Sequence, residues 1–121
     1  MEVQVKMING LNFETIIEDY AAQVLTEKLN NTEYAMVIIG EVIAQRYSVI
    51  RVMPKVENPE ANVEITLNDN TVIKVYVENY NPLPVLQSIN NAGGGMVAIG
   101  EAVLQASQIV RIMRIKQETV A

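Results

Sequence analysis

Met36-Val37-Ile38-Ile39-Gly40-Glu41-Val42-Ile43-Ala44-Gln45 returns, sixty positions later, as Met96-Val97-Ala98-Ile99-Gly100-Glu101-Ala102-Val103-Leu104-Gln105. The same shift lays Val49-Ile50-Arg51-Val52-Met53 on Ile109-Val110-Arg111-Ile112-Met113 without a gap. It also holds upstream, placing Val3 on Val63, Glu18 on Glu78, Tyr20 on Tyr80, and Asn30-Asn31 on Asn90-Asn91. The chain is a tandem duplication, so each element has to be read twice and the two readings must agree.

In each copy the segment opens on a short apolar run, Ala35–Ile39 and Met96–Ile99. Near-continuous hydrophobicity predicts a strand buried on both faces. Gly40 and Gly100 end it. The apolar positions 42, 43, 49, 50 and 53, matched by 102, 103, 106, 109, 110 and 113, follow the stripe of an amphipathic helix, predicting a helix in each copy. Pro54 stops the first, and residues 55–59 read as a polar linker.

Upstream, Val3, Val5 and Met7 alternate with Gln4, Lys6 and Ile8 and run into Asn9-Gly10, a strong hairpin signal. Val63, Ile65 and Leu67 alternate likewise and reach Asp69-Asn70. Each repeat therefore opens with a hairpin. A first helix follows, over about residues 20–29 in copy one. In copy two it starts at Asn81-Pro82, an N-cap followed by a proline in the first turn. Both helices are expected to stop at the paired asparagines with a left-handed cap. The expected fold is α+β: an internally duplicated ββαβα repeat with pseudo-twofold symmetry. Residues 1–60 and 61–121 are read as the two repeats of a single intertwined domain.

The 121 residues are 50% hydrophobic, which suits one core, whereas about sixty residues is near the lower limit for folding alone. There is no cysteine and no histidine. That removes disulfides, thiolate chemistry, the commonest general base and the commonest metal ligand. No carboxylate spacing suggests a metal site or an acid–base pair. The reading is of a non-enzyme with no catalytic residue, metal or cofactor. No apolar run approaches the ~20 residues of a membrane span. The first residues read as a strand, not a signal peptide, and the expected compartment is the cytoplasm. The net charge of −5 works against nonspecific nucleic-acid coating.

The run Val97-Ala98-Ile99-Gly100-Glu101-Ala102-Val103-Leu104-Gln105-Ala106, continued by Ile109-Val110-Arg111-Ile112-Met113-Arg114, resembles the buried strand, glycine turn and second helix of the Alba chromatin-protein fold. It is especially similar to the stage V sporulation protein S family. Residues 72–77 and 82–91 resemble that family's first strand and helix. The resemblance implies Alba-like topology, with residues 11–79 ordered strand, helix, strand, helix, strand, strand. It also implies a nucleic-acid-associated or regulatory role. The family grips nucleic acid with lysines at the first helix and a basic hairpin. Here those places read Tyr20-Ala21-Ala22, Tyr80-Asn81-Pro82 and Asn68-Asp69-Asn70, so neither site carries over.

The candidate nucleic-acid-binding residues are instead Arg46, Arg51, Lys55, Arg111, Arg114 and Lys116, six of the nine basic residues. They could neutralise DNA or RNA phosphates weakly and with salt sensitivity. They could equally complement helix C-termini. Gly40-Glu41 and Gly100-Glu101 read as helix starts that could meet an anion, or as turns with caps. Glu41–Gln45 and Glu101–Gln105 read as helix-supporting pairs. Gly93-Gly94-Gly95 lacks a phosphate-loop pattern and reads as a flexible connection or a small-ligand loop. Tyr20 and Tyr80 are expected in the core with hydroxyls at the rim, with base stacking as the other option. Two further readings stand beside nucleic-acid association: a homo-oligomeric scaffold pairing through sheet edges or helix faces, and a small-ligand binding protein.

Overall fold

Residues 1–115 are described by the computed structural model, and within them the duplication is visible element by element. Repeat one runs β1 (Glu2–Met7), β2 (Asn12–Ile16), α1 (Ala22–Asn30), β3 (Met36–Ile39), β4 (Val42–Gln45) and β5 (Val49–Pro54). Repeat two runs β6 (Val63–Leu67), β7 (Val72–Val75), α2 (Pro82–Asn91), β8 (Met96–Ile99), β9 (Ala102–Gln105) and β10 (Ile109–Arg114). The fold is α+β, and all strand pairing is antiparallel. Among the described residues, no helix is long and apolar enough to cross a membrane.

The expected second helix is absent from both copies. Each is replaced by two strands separated by a single 3-10 turn, Arg46–Ser48 or Ala106–Gln108, so the repeat is ββαβββ. The reason is local. Val42, Ile43, Val49, Ile50 and Val52 are β-branched and favour extended backbone over helix. Gly40 and Gly100 hold φ of 61° and 58°, the sign that the first central residue of a type II′ hairpin turn requires. A side chain would also collide there. A Cβ on Gly40 would lie 2.3 Å from the Thr15 hydroxyl oxygen, and one on Gly100 would lie 2.6 Å from the Tyr76 carbonyl. The helix-like stripe arises because two short strands, joined by a one-turn connector, place apolar pairs about seven residues apart. Without that helix, residues 11–79 do not follow the Alba order.

Other expectations hold or need smaller correction. Asn9 and Gly10 both sit at positive φ in the first hairpin, and Asn70 does so in the second. The Asn81 side chain accepts a hydrogen bond from the Leu83 N–H, with Pro82 in the first turn of α2. The helix C-termini are different. Asn31 is extended, Ala92 is right-handed, and the left-handed residues after α2 are Gly93 and Gly94.

Each repeat forms a three-stranded sheet from its first, second and last strands, plus a separate hairpin from its third and fourth. One link joins them. β5 pairs with β9, Val52 opposite Val103 and Arg51 opposite Leu104. This makes a five-stranded sheet in the order β2-β1-β5-β9-β8, beside a three-stranded sheet β10-β6-β7 and an isolated β3-β4 hairpin. A pseudo-twofold axis would match β5–β9 with a β10–β4 pair. Those strands lie in different sheets, so the relation between repeats is one-directional. Val3, Val5, Val49 and Val52 fill one core together with Met96 and Val103 from the other repeat. Val63, Ile65, Leu67 and Leu104 fill the second.

Candidate interaction surface

The joint between repeats shows what a hairpin of this type does when it has a partner. β8–β9 has two apolar faces. One carries Val97, Ile99, Ala102 and Leu104 into the core of its own repeat. The other carries Met96 and Val103 onto α1 and β5, against Leu25, Leu29 and Val52. The polar edge of this contact is made by Asn30. Its amide nitrogen donates to the Met96 carbonyl at 2.8 Å, and its amide oxygen accepts from the Met96 N–H at 2.7 Å. Gly95 makes room for it, since a Cβ there would lie 2.7 Å from the same amide oxygen. The Tyr20 hydroxyl donates to the Glu101 carbonyl, and burial, with Glu101 adding to it, pushes the Tyr20 pKa up, so it stays a donor. Asp69, in the β6–β7 turn, accepts from Lys6 at 2.9 Å and from Arg51 at 3.4 Å.

The same elements without a partner are exposed. Met36 is 52% exposed, against 6% for its counterpart Met96. Ile43 is 68% exposed, against 0% for Val103. Ile38 completes the apolar outer face of β3–β4. At the other end of the molecule, α2 and β10 border an open groove of about 500 Å³ lined by Tyr80, Val85, Leu86, Ile89, Ile109 and Ile112. Leu83, Leu86 and Val110 are exposed along it. Isolated exposed apolar residues are ordinary, but rows of them on an open sheet edge mark interaction sites.

Most of the basic residues singled out in the sequence are engaged by neighbours within the chain. Arg46 donates to the Tyr34 carbonyl at 2.7 Å and to the Leu29 carbonyl at 3.0 Å, closing the end of α1. Arg51 faces Asp69 and Thr71. Lys55 is paired with Glu14 at 3.0 Å and Glu2 at 3.3 Å, and Glu14, ahead of Glu2, raises its pKa. Arg114 donates to the Tyr80 carbonyl at 2.7 Å and lies 5.0 Å above the Tyr80 ring, covering the face that base stacking would use. Arg111 is exposed on β10, and Lys116 lies outside the described residues.

Gly40-Glu41 and Gly100-Glu101 are hairpin turns, so they offer no helix N-terminus to an anion, and in Glu41–Gln45 and Glu101–Gln105 the glutamate sits in the turn and the glutamine ends the following strand, so no helical pair forms. Among the described residues no group of three or more acidic side chains could hold a metal ion. The surface that sequence reasoning missed is the outer face of Met36, Ile38 and Ile43. A strand and a helix core were expected there. The available signal was the β-branched content of Val42-Ile43 and Val49-Ile50, which favours strand over helix.

No family model, curated protein or solved structure matches this chain.

Proposed function

We propose that this chain is a non-enzymatic structural module that assembles with copies of itself through open sheet edges and apolar faces. The observation that carries this is the exposed Met36-Ile38-Ile43 face, of whose counterparts in the other repeat Met96 and Val103 are buried and Ala98 is partly covered. A hairpin that is covered in one repeat and bare in the next has the composition of an interface at both ends. A solvated terminal unit would carry polar residues there.

Nucleic-acid association finds less support. Arg46, Arg51, Lys55 and Arg114 already have intramolecular partners, and the net charge of −5 repels phosphate. The deciding measurement is sedimentation velocity over a range of protein concentrations, with and without DNA or RNA at low salt. Self-assembly without nucleic acid is the expected result. A constant monomer that gains mass only with DNA or RNA, and loses it with salt, would reverse the choice.

A further inference from the structure

The joint between the repeats is encoded twice, and in the second instance its two halves are left apart. Inside the molecule, the donor half is the outer face of β8–β9 and the acceptor half is α1 with β5. The sixty-residue register maps the donor onto β3–β4, with Met36 for Met96 and Ile43 for Val103. It maps the acceptor onto α2 and β10, with Val85 for Leu25, Ile89 for Leu29, Asn90 for Asn30 and Ile112 for Val52. Both images are exposed or open, and β4 and β10 each present an unpaired edge. Shape, apolar character and edge hydrogen-bonding groups are therefore present on both sides.

We propose that the β3–β4 hairpin of one copy docks on the α2–β10 face of a second copy, in the register of the internal joint. This rests on the self-assembly reading above and names its two surfaces and their pairing. Ile43 lies opposite Ile112, and Ala44 lies opposite Arg111, as Val103 and Leu104 lie opposite Val52 and Arg51 inside the chain. The contact adds strands to an open edge, with main-chain hydrogen bonds giving affinity and the apolar face giving specificity. Because donor and acceptor are different surfaces, the contact is heterologous and builds a ring or a head-to-tail fibre.

Two sequence differences make the joint between copies weaker than the internal one. Ala35 stands where Gly95 does, so its Cβ displaces the Asn90 amide from the position that Asn30 holds. Asn9 stands where Asp69 does, so Arg111 meets an amide in place of a carboxylate. The internal joint also has the advantage of covalent linkage, which the joint between copies lacks. Assembly is accordingly reversible and concentration-dependent.

The test is sedimentation velocity on the full-length chain and two single variants, Ile43→Glu in the donor and Leu86→Glu in the acceptor. Both positions are more than half exposed, so folding should survive. Circular dichroism checks it, and Ile43→Ser and Leu86→Ser serve if it does not. Each variant alone should associate about tenfold or more weakly than the parent, the scale of one interfacial anchor. An equimolar mixture should recover a one-to-one complex, because each variant keeps the half the other lacks. Assemblies unchanged by both substitutions would overturn this pairing while leaving self-assembly standing. Mixtures that stay monomeric would overturn it too. A parent chain that is monomeric at every concentration would overturn both.

Discussion

Asn30 and Gly100 carry more of the architecture than their size suggests. Asn30 satisfies both backbone groups of Met96 at the joint, so Asn30→Ala leaves them without a partner. The expected cost is about 1–3 kcal/mol, read as a lower urea midpoint with unchanged slope. Gly100→Ala meets two penalties, a φ of 58° and the Tyr76 carbonyl 2.6 Å from the new Cβ. A loss of about 1–3 kcal/mol is expected, and Gly40→Ala should behave alike. Asp69 gives the pH dependence. Hydrogen bonds from Lys6 and then Thr71, with Arg51 nearby, hold its carboxyl well below the usual carboxylate range. A folded-state pKa below the unfolded one stabilises above the unfolded value and is lost as pH falls through the folded one. Asp69→Asn should therefore lower stability at neutral pH and flatten the acid limb of the stability curve below about pH 4, so that parent and variant converge as the pH falls. The effect is modest because the pair is about one-third exposed on each side, 32% and 34%.

At the scale of elements, equivalent substitutions should have unequal effects. Val103→Asp places a carboxylate between two cores, where Val103 is fully buried, and should prevent folding. Ile43→Asp, at the same place in the other repeat, should leave the melting temperature of the monomer within a few degrees. Thermal unfolding of the pair measures the contrast. The hairpins at the start of each repeat were legible because alternation and turn chemistry agree there: Val3, Val5 and Met7 with Asn9-Gly10, Val63, Ile65 and Leu67 with Asp69-Asn70. The start of α2 was legible because Asn81-Pro82 is a specific cap. Residues 41–53 and 101–113 were not, since apolar pairs in two short strands mimic a helical stripe when a 3-10 turn separates them. Their β-branched content pointed the other way. The interaction surface was hidden for a related reason. Met36 and Met96 look the same in sequence, and only the one-directional β5–β9 pairing decides which is covered.

For the whole molecule, one rule of assembly governs both the fold and the proposed association: a hairpin of one repeat covers the helix and last strand of another. Within the chain this occurs once, and it leaves a bare hairpin at one end and a bare groove at the other. The absence of cysteine makes the rule directly measurable. Opposed residues of antiparallel strands have Cα atoms about 4.5–5.5 Å apart, inside the range a disulfide spans. Chains carrying Ile43→Cys and chains carrying Ile112→Cys are mixed under mild oxidation and resolved without reductant. The expected result is a heterodimer of the two variants with little of either homodimer, far beyond the twofold excess of random pairing, and a ladder of multiples when one chain carries both substitutions. The 1:2:1 ratio of random pairing, or no cross-link at a concentration where the parent chain assembles, would contradict the pairing of Ile43 with Ile112.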